Sequence, residues 1–204
     1  MIPIIVATRN EGKVRELAAL TKDQDLPIQW RSLRDYPTVG ELAETGDTFQ
    51  ANARMKAAQV VELTGVAALA DDSGLVVDAL QGAPGIYSAR FAGEPKDDRR
   101  NIAKLLTQLE GVPAQARTAR FVCALALLLP DGREVIVEGT CEGQITTSLR
   151  GDGGFGYDPV FLIPALGQTF AEIDGAEKNR RSHRAQAMQA LIKALPSLLG
   201  VDKG

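Results

Sequence analysis

Val66-Ala67-Ala68-Leu69-Ala70-Asp71-Asp72-Ser73-Gly74-Leu75-Val76-Val77 sets two adjacent carboxylates, a hydroxyl and a glycine inside an otherwise apolar run. Gly65 precedes the run and the apolar pattern resumes beyond Gly74, so the stretch reads as strand, sharp turn, strand. In that arrangement Asp71 and Asp72 close a strand at its carboxyl end, the edge of an open α/β sheet where ligands gather, and the expected class is α/β. Carboxylate oxygens suit magnesium, which takes one or two per ion together with substrate phosphates, and one of the aspartates could instead orient a water. Ala70-Asp71-Asp72-Ser73-Gly74 alone fits equally well a turn whose side chains cap backbone amides.

The chain around it is ordinary in bulk. Its 204 residues, 45% hydrophobic and 24% charged, suffice for one domain or two small lobes. A formal charge of -3 argues against coating nucleic acid through a broad basic face. The start, Met1-Ile2-Pro3-Ile4-Ile5-Val6, lacks the basic opening and length of a secretion signal. The run Val122 to Leu129 is too short to span a bilayer, so a cytoplasmic protein is expected. Cys123 and Cys141 have neither Cys-x-x-Cys spacing nor a histidine cluster beside them, and read as reduced core residues rather than zinc ligands.

Ile4 to Ala7 reads as a buried first strand, and Thr8-Arg9-Asn10-Glu11-Gly12-Lys13 as a polar turn into a helix reaching about Leu20. A helix start offers unpaired amides to a phosphate, and Lys13 adds charge, although the spacing is not that of a Walker A loop. An ordinary capped turn with a solvated lysine is the plainer alternative. Pro27 to Leu33 reads as a second strand. A helix then starts near Asp47, which can cap it with Gln50 in the capping-box position; Phe49, Ala53, Ala57, Val60 and Val61 face inward, and Asn52, Lys56 and Gln59 face elsewhere. A third helix runs from about Asp97 to Leu109, and Ala119 to Leu129 and Glu134 to Glu142 form a hairpin around Pro130-Asp131-Gly132.

Two later stretches carry chemistry. Gly151-Asp152-Gly153-Gly154-Phe155-Gly156-Tyr157-Asp158-Pro159 frames aromatics with glycines, either a backbone that meets a ligand closely and a ring that stacks on a base for roughly 1–3 kcal/mol, or a hairpin plugging the core. Lys178, Arg180, Arg181, His183 and Arg184 crowd the start of a last helix whose stripe is Ala185, Met188, Ile192 and Leu195, with Ser182 as cap. Cations at that end cost about 0.3–1 kcal/mol each, which a bound anion would reverse and solvent would reduce. No serine elbow or catalytic triad competes, so water attacking phosphorus is the compatible chemistry.

Thr8-Arg9-Asn10-Glu11-Gly12-Lys13, Glu44-Thr45-Gly46, Ala70-Asp71-Asp72-Ser73-Gly74, Gly153-Gly154-Phe155-Gly156-Tyr157-Asp158-Pro159, and Glu177-Lys178-Asn179 with Ser182-His183-Arg184 together resemble, in order and almost end to end, the Ham1-like inosine triphosphatase family. The resemblance implies a single 204-residue domain: an elongated mixed sheet flanked by helices, two lobes around a central nucleotide-binding cleft. It also implies a cytoplasmic homodimer that uses Mg2+ to hydrolyse ITP, dITP and XTP to the monophosphate and pyrophosphate, keeping them out of DNA and RNA. By similarity Glu44, Asp72 and Asp71 hold the metal and Asp72 accepts the proton of the attacking water. Lys13, with Thr8 and Asn10, Lys56 and Ser73 face the phosphates, and Arg9, Glu11 and Gly12 belong to the same substrate-binding stretch. Phe155 stacks on the base, Asp158 hydrogen-bonds to it, Lys178, His183 and Arg184 bind the nucleotide around the base, and Gly156 and Tyr157 are substrate-binding residues beside them.

A 6-keto purine presents an acceptor where adenine presents a donor, so donors from His183 and Arg184 would favour hypoxanthine or xanthine; a buried donor left facing a donor costs about 1–3 kcal/mol. Two other functions compete: a nucleotide sensor without turnover, and a general phosphatase releasing orthophosphate. The acidic cluster of Asp71, Asp72 and Glu44 argues against the sensor, which has little use for carboxylates beside phosphates.

Overall fold

The computed structural model describes residues 1–9, 11–22 and 26–201; Asn10 lies outside them, as do the side chains of Gly12, Lys13 and Asn179. Seven strands form one mixed sheet in the order β2-β1-β3-β4-β5-β6-β7, flanked by helices. In chain order the elements are β1 (Ile2–Val6), α1 (Glu11–Thr21), β2 (Ile28–Ser32), α2 (Phe49–Thr64), β3 (Ala67–Val77), α3 (Asp98–Gln108), β4 (Thr118–Leu128), β5 (Glu134–Ile145), β6 (Phe161–Ile163), β7 (Gln168–Thr169), α4 (Gly175–Arg181) and α5 (His183–Leu199). β1 pairs in parallel with β2 and β3, while β5, β6 and β7 pair antiparallel. Among the described residues no helix is long and apolar enough to cross a membrane.

The chain divides into two compact units. The first holds Met1–Asp72, Ala124–Glu138 and Ala187–Gly204, and the second Ser73–Cys123 and Gly139–Gln186. The first is built on Ile4, Ile5, Leu69, Ala53, Ala57 and Val60, all fully or almost fully buried. The second closes around Leu75, Leu105, Phe121, Phe161 and Phe170, with Phe121 and Phe161 ring centroids 4.5 Å apart, within the range of favourable aromatic pairs. Cys123 and Cys141 are buried free thiols, as expected, and burial pushes that of Cys141 up to about 11.

The expected strand, turn, strand around Asp71 and Asp72 is corrected: β3 runs unbroken from Ala67 to Val77, and the division between units falls inside it. Gly74 keeps ordinary extended backbone and is not among the glycines of positive φ, so nothing there forces a turn. The carboxylates stay in mid-strand because partners on α2 meet Asp72. α2 starts one residue later than expected, and its cap is Thr48 rather than Asp47: the Thr48 hydroxyl accepts from the Ala51 amide at 3.0 Å. Gly65 ends it in the left-handed conformation that glycine adopts without strain.

The basic C-terminal segment also differs. The last helix, α5, begins at His183 behind the expected cap Ser182, whose hydroxyl accepts from the Ala185 amide at 3.2 Å, but a separate helix, α4, precedes it and ends at Arg181. Lys178, Arg180 and Arg181 therefore occupy the last turn of α4, where the helix dipole favours cations, and only His183 and Arg184 start a helix. The buried stripe of α5 is Ala187, Leu191 and Leu195, shifted from the expected Ala185, Met188 and Ile192.

Candidate functional site

In the first unit, α2 and the loop before it assemble the acidic group. Asn52 and Lys56 lie one helical turn apart on α2, so both reach the same point on β3. The Asn52 amide nitrogen donates to Asp72 Oδ2 at 3.0 Å, and Lys56 Nζ stands 3.8 Å from Asp72 Oδ1. The same ammonium donates to Glu44 Oε1 at 2.6 Å, and its side chain is only 12% exposed. Two carboxylates thus converge on one largely desolvated cation.

The Glu44 loop is folded back along α2 by two side-chain amides. Gln59 bonds both the amide and the carbonyl of Ala43, at 3.0 and 3.1 Å, and Asn52 Oδ1 accepts from the Gly46 amide at 2.8 Å. Asn52 was expected on the outward face of α2, yet it is 3% exposed. Sequence reasoning passed over it because polar residues between apolar ones are usually solvated; its position four residues before Lys56 was the available signal.

Of the three expected metal ligands, the structure brings Glu44 and Asp72 together. Asp71 neighbours Asp72 on β3, so strand alternation sends it to the opposite face. Among the described residues no group of three or more His, Cys, Asp or Glu side chains is placed to hold a metal. The pair suffices for magnesium, which commonly takes one or two protein carboxylates and completes its shell with water and phosphate oxygens. That both carboxylates already turn to the Lys56 ammonium shows their oxygens aimed at positive charge.

Around the expected phosphate turn, two residues have internal partners. The Arg9 guanidinium donates to the Val39 carbonyl at 2.9 Å, and Glu11, inside α1 rather than in a turn, pairs with Arg34 at 2.9 Å. The Thr8 carbonyl accepts from the Leu33 amide at 3.2 Å, tying the end of β1 to β2. Ser73 follows Asp72 on β3, half-buried.

In the second unit the glycine-framed loop divides its aromatics between the two readings. Phe155 is 63% exposed, whereas Tyr157 is 5% exposed and donates its hydroxyl to the Ser88 carbonyl at 2.8 Å. The side chain of Tyr157, a residue expected to bind substrate, therefore anchors the loop in the core. Burial, and then the charge of Asp98, pushes its phenol well above the ordinary range. Asp158, also buried, ties the loop to α4: Oδ2 accepts from the Phe155 amide at 2.8 Å and pairs with Lys178. On the other side, Asp98 at the start of α3 accepts from the Gly156 amide at 2.8 Å, a contact invisible at 58 residues' separation. Gly154 sits at φ +76°, and a Cβ there would meet Asp158 Oδ2 at 2.0 Å, so only glycine lets the carboxylate close over the loop.

Cations surround the exposed ring. Lys178 Nζ lies 4.7 Å and Arg184 Cζ 5.8 Å from the Phe155 centroid, both within cation–π range. His183 stacks on Phe121 at 5.0 Å with an interplanar angle of 16°, which fixes its ring plane. Glu177 pairs with Arg181 and Arg180, whose hydrogen bonds hold its carboxyl below the usual range, so those two cations serve α4 itself.

A large exposed phenyl ring flanked by cationic donors is a platform for a flat, electron-rich ligand. In the first unit, a carboxylate pair around one ammonium suits a cation and phosphate oxygens. A family model described as the Ham1 family matches residues 4–194. The chain belongs to the Ham1 family. Within that family's reach, it is 53% identical over 195 residues to a Desulforamulus reducens protein named dITP/XTP pyrophosphatase, covering 96% of each chain. It is 54% identical over 197 residues to one of the same name from Exiguobacterium sibiricum, covering 97% of this chain and 98% of the relative. The fold matches a HAM1 protein from Coxiella burnetii with a TM-score of 0.89 and 40% identity, covering 97% of this chain and 100% of that one. The expected mixed α/β architecture and family membership therefore hold.

Proposed function

We propose that this Ham1-family protein hydrolyses dITP, ITP and XTP to the nucleoside monophosphate and pyrophosphate, with Mg2+ as cofactor. The observation that carries the proposal is the convergence of Glu44 and Asp72 on Lys56. Close relatives named dITP/XTP pyrophosphatase support the substrate class.

Glu44 and Asp72 would hold the ion, which would supply charge neutralisation to the phosphates and to the pyrophosphate that leaves. Lys56 neutralises phosphate oxygens from a position already fixed. Asp72, oriented by Asn52, takes the proton of the attacking water, so the water's oxygen bonds to phosphorus as the bridging oxygen between the α and β phosphates departs. Phe155 stacks on the base, while Lys178 and Arg184, beside that ring, donate to keto oxygens that adenine lacks. The resemblance also carries a cytoplasmic homodimer, open to measurement by fractionation and sedimentation.

Incubation with dITP, XTP, ITP, GTP and ATP, with and without magnesium, tests the proposal. Pyrophosphate from the first three, abolished by a chelator, is the expected result. Orthophosphate would instead identify a general phosphatase, and tight binding without turnover a sensor.

A further inference from the structure

We infer that Asn52, buried on α2, is the positioning residue that holds Asp72 and the Glu44 loop in one fixed geometry. The inference rests on the pyrophosphatase reading and adds to it a buried residue that acts through Asp72 and the Glu44 loop. Both ends of the amide are in use: Oδ1 accepts from the Gly46 amide at 2.8 Å, and Nδ2 donates to Asp72 Oδ2 at 3.0 Å. The orientation of the amide follows from chemistry alone. A backbone N–H can only donate, so the atom facing Gly46 must be the oxygen, and the NH2 group is left to face a carboxylate, which can only accept when ionised.

Gly46 is adapted to the same contact. A Cβ at this position would meet Ala51 Cβ at 2.8 Å and Asn52 Oδ1 at 2.9 Å, closer than real Cβ atoms approach their neighbours, so the loop reaches the amide only as glycine. Gln59 holds the other side of Glu44, at Ala43. Asn52 links the loop to the strand. At 3% exposure its hydrogen bonds lack competition from bulk water, and no solvent molecule can readily take over if the amide is removed.

Because Asn52 acts through other groups, its loss should appear in the rate of chemistry rather than in nucleotide affinity. Displacing a reacting group by about 1 Å can cost on the order of 100-fold. The variants divide the two contacts. Asn52→Ala removes both, whereas Asn52→Asp keeps an acceptor for Gly46 and sets a second carboxylate against Asp72. Gln59→Ala loosens the loop without touching Asp72.

The experiment measures kcat and KM for dITP with saturating magnesium in all four proteins, together with amide exchange across residues 43–48 and melting curves. Expected are a fall in kcat of roughly 100-fold in Asn52→Ala and Asn52→Asp with KM within a few-fold, against less than about 5-fold for Gln59→Ala. Exchange at Gly46 should accelerate in Asn52→Ala and stay slow in Asn52→Asp. A folded Asn52 variant with kcat within 3-fold of wild type overturns the inference, as does a rise in KM at constant kcat. Should Asn52→Ala not fold, Asn52→Asp decides alone by the same rate criterion. Absence of turnover in the wild-type protein would fall on the pyrophosphatase reading, and the exchange pattern would still test the bridge to Gly46.

Discussion

The acidic group of the first unit and the aromatic group of the second are held by opposite means. Around Lys56, side-chain amides on a regular helix fix two carboxylates, and the loop backbone follows. Around Phe155, backbone conformation comes first: a left-handed glycine lets Asp158 fold over the loop, and the ring is left exposed beside Lys178 and Arg184. Their formal charges are also opposite. Glu44, Asp72 and Lys56 leave one negative charge in excess, and Asp158, Lys178 and Arg184 one positive. The acidic group should accordingly be sensitive to single side-chain losses in rate, and the aromatic group to backbone changes in affinity.

Asp72→Asn is the sharpest challenge to that division. The variant keeps shape and an acceptor for Asn52 but loses the base, so kcat should fall by roughly 100- to 10,000-fold with an unaltered melting profile. Near-normal turnover would remove Asp72 from the chemistry. Gly154→Ala strikes the other side. Left-handed φ and a Cβ 2.0 Å from Asp158 Oδ2 should cost about 1–3 kcal/mol in urea unfolding and raise KM for dITP while kcat changes less. A wild-type KM would show that the loop need not close to bind nucleotide.

Phe155→Ala should raise KM by about 5- to 150-fold, the equivalent of roughly 1–3 kcal/mol of stacking, and leave stability unchanged because the ring is mostly exposed. An unchanged KM would move base binding elsewhere. The smallest effect concerns Tyr157. Its phenol titrates above the unfolded value of about 10, so its contribution is complete below that pH and is lost as pH rises through the folded value. Tyr157→Phe should lose about 1 kcal/mol at neutral pH, with its hydrogen bond to Ser88, and show a shallower fall in stability between pH 9 and about 12. Parallel curves for the two proteins would assign the alkaline fall to other groups.

Much of the fold was legible because it depends on local pattern: the Pro130-Asp131-Gly132 turn between two strands, and a third helix opening near Asp97. The errors arose where distant partners overrode local rules. Asp71 and Asp72 suggested a turn because two charges in mid-strand are costly, but Asn52 and Lys56, some twenty residues earlier, meet that cost for Asp72. Ser182 was legible as a cap, but the short helix α4 before it was not, because its seven residues are too few to show a period. Phe155 and Tyr157 could not be separated, since only the Ser88 carbonyl, 69 residues away, tells which ring is the plug.

Cys141 gives the protein a chemical temperament. With its thiol pushed up to about 11, only about one molecule in ten thousand carries the thiolate at neutral pH. Electrophiles and peroxides, which attack the thiolate, would find little to react with at that buried sulfur.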